Sequence, residues 1–301
     1  MGLFDFFKKK KNVKEEQVVA INEKLKEILE SLARNEILIK MDELGEVVNP
    51  WSSKVGGRPF LPKSFVWPTF TYYGDGVTRP LSFICQINLE ELKEYDKDNL
   101  LPKKGMLYFF YECESLTWGF DPQDKEATRV FYFADTTDFV ELELPVELEE
   151  HNRIPEIAIS FENRMAYPSY EEFHIYNDSE YDFEEYDAVL ENLGVDLEEE
   201  EVSKLLGYAN IIQDEMLTEC ERISRDLYCG DSESYQNTPE ALEKEIEQCA
   251  KEWVLLFQID TITKDDFEMM FGDCGKLYVY IKKTDLENGN FNNISFAVQC
   301  Y

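Results

Sequence analysis

Three blocks of apolar and turn residues occur twice along the chain, in the same order. The first set occupies 54–62, 81–88 and 105–110, and the second occupies 204–209, 254–260 and 275–280. In the first set, Gln86 precedes Gly105 by 19 residues. In the second set, Gln258 precedes Gly275 by 17 residues, so the register is nearly the same. The recurrence predicts two degenerate copies of one unit, related by a pseudo-twofold axis, at about 36–150 and 200–301.

The blocks also indicate the fold class. Short apolar runs separated by Gly, Pro and aromatic clusters are typical of strands and turns. Gly207 stands 51 residues before Gln258, whereas Gly57 stands 29 residues before Gln86. The second copy therefore carries an insertion, and the helical pattern at 216–251 is its expected body. We predict an α+β, internally duplicated domain over 36–301, with mainly antiparallel sheets and flanking helices.

Residues 1–35 precede the two copies and predict an N-terminal amphipathic helix. Asn12 and Glu15 have capping-box spacing, and apolar residues follow at steps of three and four: Val18, Ile21, Leu25, Ile28 and Leu32. We expect this helix to pack on the body of its own protein. Upstream, the segment from Phe4 to Lys11 places apolar side chains before four lysines, which would permit a weak peripheral membrane contact. The alternative is a frayed or docked terminus.

The charge of the chain is strongly negative and unevenly distributed. The net charge of −33 argues against a general nucleic-acid binder, because such proteins need cations to contact phosphate. The span 130–203 joins the two copies and carries 23 Asp and Glu against two Arg, a net charge of −21. Tyrosines interleave with these carboxylates and could anchor a basic partner: Tyr176, Tyr181 and Tyr186. The alternative is a solvated helix face or a linker.

Three features could line a small-ligand cleft between the two copies. The turn at 54–58 combines two cations with glycine amides that could bind an anion, although a simple tight turn explains the glycines equally. Gln86 and Gln258 occupy equivalent places in apolar strands, so their amides bond either to backbone or to a ligand. Asp273 lies in a glycine-rich turn, either as a site carboxylate or as a turn residue. The cleft candidates are Lys54, Gly56, Gly57, Arg58, Gln86, Gln258 and Asp273.

Motifs that would carry catalysis or bind a cofactor are absent from the sequence. It contains no nucleophile elbow, no phosphate-binding loop, no calcium loop and no zinc spacing, so we predict no catalytic residue, metal or cofactor. The seven cysteines include no C-x-x-C pair, which is typical of a reducing cytosol. The apolar runs are far shorter than a membrane span needs, so no transmembrane segment is predicted.

The order of the blocks resembles the YwqG-like family, a bacterial domain family of uncharacterised function. The resemblance is carried by Lys54-x-Gly56-Gly57-x-Pro59-x-Leu61-Pro62, Trp67-Pro68, Pro80-Leu81, Gln86-Ile87-Asn88, Gly105-x-Leu107, Leu255-Leu256-x-Gln258-Ile259-Asp260, Gly272-Asp273-x-Gly275, Phe291 and Gln299-Cys300. It implies a duplicated α+β fold and a cytoplasmic location in a bacterium, and supplies no catalytic residues. Leu206-Gly207 lacks the paired glycines, so a role that requires both Gly-Gly loops is not expected.

Two functional hypotheses follow. The first is a cytoplasmic, non-enzymatic interaction protein whose acidic surface binds a basic protein partner, with an immunity-like inhibitor as one form. The second is an enzyme or small-ligand binder that uses the cleft between the copies. A peripheral membrane or scaffold role, through the segment from Phe4 to Lys11, is a third interpretation.

Overall fold

The structure, a computed structural model, describes residues 21–41, 49–115, 117–199 and 202–301. Its strands are β1 Arg34–Met41, β2 Lys54–Val55, β3 Phe60–Pro62, β4 Thr69–Thr71, β5 Thr78–Pro80, β6 Ser82–Asn88, β7 Met106–Tyr111, β8 Thr128–Phe133, β9 Phe139–Glu141, β10 Ile157–Ala166, β11 Lys204–Leu206, β12 Trp253–Ile259, β13 Ile262–Lys264, β14 Phe267–Met269, β15 Lys276–Lys282 and β16 Ile294–Gln299. Its α-helices are α1 Glu23–Leu32, α2 Tyr170–Tyr176, α3 Phe183–Asn192, α4 Leu217–Ser224, α5 Ser232–Gln236, α6 Glu240–Ala250 and α7 Lys283–Glu287.

Ten strands form one sheet, in the order β16-β15-β12-β11-β1-β10-β2-β6-β7-β8. The central strands β1 and β10 are antiparallel from Arg34 opposite Ala166 to Met41 opposite Ile159. Four strands extend the sheet beyond β1 and four extend it beyond β10, and the pairings within each set are also antiparallel. This arrangement confirms the predicted α+β class with mainly antiparallel sheet.

The sheet curls so that its inner face encloses one apolar core. Phe109 of β7 stacks on Phe257 of β12 with ring centroids 4.2 Å apart, although five strands separate β7 from β12 in the sheet order. The edge strands β8 and β16 also contact each other. Strands β6, β7, β12 and β15 are apolar along almost their whole length because both of their faces are covered. The two halves of the sheet therefore meet at a packed core.

The outer face of each half is covered by a different layer. In the first half, Phe65 and Trp67 pack on Phe110 of β7. In the second half, α4 and the end of α6 cover β12, β15 and β16 with an apolar cluster: Met216, Leu217, Cys220, Ala250, Trp253, Leu255, Tyr278, Tyr280 and Ala297. The helices of this layer occupy the stretch 216–251, where the sequence analysis expects an insertion.

The N-terminal helix packs against the acidic span. Leu25 and Leu29 of α1 are fully buried and form a cluster with Phe173 of α2 and Tyr186 of α3. The helix begins ten residues later than the predicted capping box, because the side chain of Asn22 accepts the Leu25 N–H and caps it there. The prediction of a helix that continues through Ile21 is therefore wrong. The predicted cap at Asn12 and the segment from Phe4 to Lys11 lie outside the described residues.

The two halves of the sheet match at the level of single residues. Lys54 of β2 lies opposite Gln86 of β6, and Lys204 of β11 lies opposite Gln258 of β12. Each glutamine strand also has a register shift two residues earlier, between Phe83 and Cys85 and between Leu255 and Phe257. These shifts are irregularities of the β-bulge kind.

The loop after each lysine strand also has the same backbone in both halves. Gly56 and Gly57 have φ values of +60° and +71°, and Leu206 and Gly207 have φ values of +62° and +75°. The second loop thus has this backbone although leucine stands where the first loop has its first glycine. Leu206 takes the left-handed conformation because its side chain is buried in the core.

Within the described ranges, no helix has the length and apolar character needed to cross a membrane.

Candidate functional site

Gln86 is a fully buried side chain whose hydrogen bonds all go to backbone. Its Nε2 donates to the carbonyl oxygens of Pro50 and Ser52, at 2.7 and 2.8 Å, and its Oε1 accepts the Phe60 N–H at 3.0 Å. Opposite it, the buried Lys54 Nζ lies 2.6 Å from Glu156 Oε2. Gln86 thus ties two loops to the sheet and has no remaining donor for a ligand.

Gln258 makes the equivalent bonds in the second half. Its Nε2 donates to the Val202 carbonyl at 2.6 Å and to Asn210 Oδ1 at 3.3 Å, and its Oε1 accepts the Asn210 N–H at 2.9 Å. Lys204 Nζ lies 2.7 Å from Glu36 Oε2, as Lys54 lies beside its own glutamate. Each glutamine therefore bonds to the loops of its own half of the sheet, and neither keeps an amide N–H for a ligand.

The second half of the sheet repeats further bonds of the first. The Tyr108 hydroxyl donates to the Phe60 carbonyl, and the Tyr278 hydroxyl donates to the Asn210 carbonyl. In the loops before the lysine strands, Ser53 Oγ accepts the Asn88 N–H and Ser203 Oγ accepts the Asp260 N–H: 2.8 and 3.0 Å. We call Lys54 with Gln86, and Lys204 with Gln258, the two lysine–glutamine clusters. The matched bonds give both clusters a structural role.

The remaining cleft candidates lie apart from one another. The amides of Gly56 and Gly57 donate to the carbonyls of Ile84 and Ile154, so they are not open to an anion. Arg58 is half-exposed and pairs with Glu141 and Glu143. Asp273 is exposed, and its carbonyl accepts the Tyr301 N–H. The structure therefore brings Lys54 beside Gln86 but does not gather these candidates into one site.

A cavity of about 310 Å³ lies beside the Lys204 cluster, and we call it the charged pocket. Its charged lining residues are Glu36, Arg164, Asp196, Glu199, Lys204 and Lys276. Glu36 accepts two cations, with Arg164 Nε 2.5 Å from Oε1 and Lys204 Nζ 2.7 Å from Oε2. Burial lowers the pKa of Lys204, although Glu36 opposes this effect. Lys276 Nζ lies 3.2 Å from Asp260 Oδ2.

Two adjoining cavities, of about 710 and 840 Å³, form a groove between the α2–α3 region and helices α4 and α6. We call it the acidic groove. The two cavities share His174, Ser179, Glu180, Glu215, Thr218 and Tyr235. The carboxylates along the groove are Glu171, Asp178, Glu180, Asp214, Glu215, Glu219, Glu243 and Glu247.

Most of these carboxylates lack a cation partner. Glu243 pairs with the buried Arg222. The other seven make no ion pair with any residue that the structure describes. Burial raises the pKa of Glu219 to about 7, and the negative charges of Glu215 and Asp214 add to this shift. The groove is therefore a surface of crowded like charges whose repulsion a bound cation would relieve.

The three tyrosines predicted to bind a partner have different positions. Tyr186 is fully buried and donates to the Pro168 carbonyl at 3.0 Å. Tyr176 donates to Glu172 Oε1 at 2.8 Å, under the guanidinium of Arg34. Tyr181 lines the acidic groove, and its buried hydroxyl has no hydrogen-bond partner among the described residues. Of the three, Tyr181 alone reaches the groove.

Sequence reasoning missed the opposite wall of the groove. Glu215 and Glu219 belong to the α4 region, and Glu243 and Glu247 belong to α6, all outside the acidic span. Their signal was present as carboxylates four residues apart, of which Glu243 and Glu247 share one face of α6. The fold brings these residues to the acidic span through contacts that the sequence pattern does not show.

Comparisons with known proteins place the chain in a family but give no function for it. Across the described part of the chain, no group of three or more His, Cys, Asp or Glu side chains is arranged to hold a metal ion. A search of curated proteins finds no match. A family model described as a domain of unknown function, DUF1963, matches residues 53–300. The matched region spans both lysine–glutamine clusters and nearly the whole sheet, and the chain therefore belongs to the DUF1963 family.

Proposed function

We propose that the protein binds a basic segment of a partner protein in the acidic groove. The observation that carries this proposal is the set of seven carboxylates that line the groove and make no ion pair with a described residue, while Lys251 is the one lysine or arginine in its described lining. Two buried carboxylates elsewhere in the molecule, Glu36 and Glu221, are paired with Lys or Arg. The groove instead gathers several unpaired carboxylates around one cavity, where added positive charge can pair with them.

The electrostatics of the acidic groove favour the binding of a positively charged side chain. The carboxyl of Glu219 has a raised pKa because burial and its acidic neighbours disfavour the ionised form. A Lys or Arg side chain placed there pairs with the ionised form and lowers that pKa again. The surrounding negative charge also speeds the approach of a basic partner, an effect that salt screens.

Aromatic and hydroxyl groups add contacts of the right kind. Tyr170 lines the groove and packs edge-to-face against the half-exposed Phe183, with centroids 5.2 Å apart. Aromatic rings accept the alkyl stems and charged heads of Lys and Arg. The buried Tyr181 hydroxyl can accept a hydrogen bond from an ammonium group. Tyr176 and Tyr186 contribute by holding α2 and α3 in place.

The proposal extends to the setting of the protein. Within its family we place the chain among YwqG-like bacterial domains, on the ordered blocks of its sequence. A cytoplasmic location is supported by seven cysteines that are all free thiols. The role is non-enzymatic, and an immunity-like inhibitor of a basic protein would use the groove in this way.

A peptide of alternating lysine and leucine residues provides the test, measured by fluorescence anisotropy with the full chain. We expect binding that weakens at least tenfold between about 50 and 500 mM salt, as the Debye length shortens. The double substitution Glu215→Gln and Glu219→Gln should weaken binding at least tenfold, equivalent to about 1.4 kcal/mol.

The matched control changes the same charge at two exposed carboxylates away from the groove, with Glu94→Gln and Glu287→Gln. This variant should bind within twofold of the unchanged protein. Equal losses in the two variants would show that net charge alone attracts the peptide. Binding that ignores salt would contradict the proposal directly.

A further inference from the structure

The charged pocket shares no lining residue with the acidic groove, and its lining combines three carboxylates with three cations, Arg164, Lys204 and Lys276. We infer that it binds a small molecule through a compact oxyanion, a carboxylate or a phosphate group. This inference goes beyond the proposed partner binding and does not depend on it. It rests on two nearly buried lysines, on an arginine beside them, and on a comparison of the two halves of the sheet.

The cations of the pocket carry hydrogen-bond donors beyond those used in their ion pairs. The side chains of Lys204 and Lys276 are each 3% exposed, and each ammonium carries three N–H groups. Lys204 pairs with Glu36, and Lys276 pairs with Asp260. Arg164 uses two of its five N–H groups, on Glu36 and Glu199. An oxyanion offers acceptor oxygens in several directions and so matches the unused donors.

The first half of the sheet shows that the fold does not need this cation. Gly105 and Gly275 are equivalent, so the position of Lys276 corresponds to that of Met106. Met106 is buried, which shows that an apolar side chain fills this place. Asp260, the partner of Lys276, corresponds to Asn88 in the first half. A buried ion pair is commonly no more stabilising than apolar packing, so this pair in one half alone points to a role outside folding.

The size and walls of the pocket limit its ligand. A volume of about 310 Å³ is at the lower end of the range for small-molecule sites. Apolar residues also line the pocket: Pro168, Leu190, Val195, Leu197 and Ile211. The arrangement suits a molecule with an oxyanion at one end and a short apolar body.

Titration calorimetry with the full chain tests the site with three probes: benzoate, phenyl phosphate and inorganic phosphate. Binding of benzoate alone assigns a carboxylate site, and binding of either phosphate assigns a phosphate site. Lys276→Met places in the second half the residue that the first half carries, and we expect it to weaken binding at least tenfold while the protein stays folded. Lys103→Met removes a cation from a different buried carboxylate, Asp96, and should leave binding within twofold.

Two results would overturn the inference. One is that none of the three probes binds the unchanged protein with a millimolar or lower dissociation constant. The other is that Lys276→Met binds the probes as tightly as the unchanged protein. Arg164→Gln supplies a second variant at a partly exposed position, which keeps the test decisive if Lys276→Met does not fold.

Discussion

The two lysine–glutamine clusters are built alike and differ in their surroundings. In the first, the fully buried Lys54 pairs with Glu156, whose side chain is 41% exposed. In the second, Lys204 pairs with Glu36, whose side chain is 2% exposed and which also accepts Arg164. The bonds that both clusters share are those that tie loops to the sheet. The charges that only the second cluster has are therefore the better candidates for function.

The comparison separates two uses of a buried polar group. Gln86 and Gln258 have every donor engaged with nearby protein atoms, and such a network rigidifies the core without offering anything to a ligand. Lys276 and Arg164 retain unused donors beside a cavity. Burial or charge alone does not separate the structural glutamines from the candidate ligand-binding cations. The comparison of the two halves of the sheet does.

The largest expected effect is a difference between the two glutamates. Glu36→Gln leaves Lys204 and Arg164 without a neutralising charge in a buried place, so we expect it to lower the free energy of unfolding by about 3–5 kcal/mol. Glu156→Gln should cost roughly 1–2 kcal/mol, because water can reach this half-exposed site and solvate Lys54. Urea unfolding of both variants measures the difference, and equal losses would show that the clusters are energetically equivalent.

The two glutamines, in contrast, should respond alike. Gln86→Leu and Gln258→Leu each leave buried backbone groups unpaired, and we expect each to cost about 2–4 kcal/mol. The same urea titrations measure both. A loss at one glutamine at least twice that at the other would break the correspondence between the halves. Gln123→Leu, at an exposed position in a short 3-10 helix, is the control and should change stability by less than about 0.5 kcal/mol.

The glycines that follow the lysine strands should show a smaller difference. A Cβ added at Gly207 would lie 2.6 Å from the Cβ of the buried Glu36, which two ion pairs hold in place. A Cβ added at Gly57 would lie 2.7 Å from the Cβ of Glu156, which is half-exposed and can move. Both positions have positive φ, so each alanine costs about 1 kcal/mol in backbone strain.

We therefore expect Gly207→Ala to cost about 1 kcal/mol more than Gly57→Ala, by the difference in midpoint of thermal unfolding. Gly76→Ala is the control, because it has positive φ but no atom within 4 Å of an added Cβ, and it isolates the strain. If Gly57→Ala and Gly207→Ala both match this control, the close approach of the glutamates has no energetic consequence.

The strands that contain Gln86 and Gln258 were predictable, because short apolar runs with fixed spacing are visible in a single sequence. The partners of Lys54 and Lys204 were not predictable. Glu156 and Glu36 belong to the two central strands or their ends, outside the repeated blocks, and only strand pairing brings them to the lysines.

Two other features could not be predicted from the sequence, for different physical reasons. The left-handed backbone at Leu206 occurs at a residue type that disfavours it, so residue preference alone does not indicate it. The acidic groove joins carboxylates from α2, α4 and α6, which lie up to 76 residues apart from Glu171 to Glu247. Charge counted along the chain located one wall of this groove and could not locate the other.

A further expected difference concerns the pH dependence of the layers that cover the two halves. Burial raises the pKa of Asp124 in the first half to about 6 and that of Glu219 in the second half to about 7. Each folded carboxyl holds its proton more tightly than the unfolded one, so ionisation costs stability. The free energy of unfolding should therefore fall as pH rises, between about 4 and 6 for Asp124 and between about 4.5 and 7 for Glu219.

Asp124→Asn and Glu219→Gln should each flatten the stability profile within its own pH window, by about 1–2 kcal/mol. Urea unfolding from pH 4 to pH 8 measures both profiles, and Asp138→Asn, at an exposed position, should leave the profile unchanged. Glu219→Gln could change the stability profile only below about pH 6. In that case, the acidic groove does not hold the Glu219 carboxyl in the protonated form near pH 7. The crowding of negative charge in the groove would then be too weak to favour a basic partner. Of the two covering layers, only that of the first half would make stability depend on pH through a raised pKa, that of Asp124.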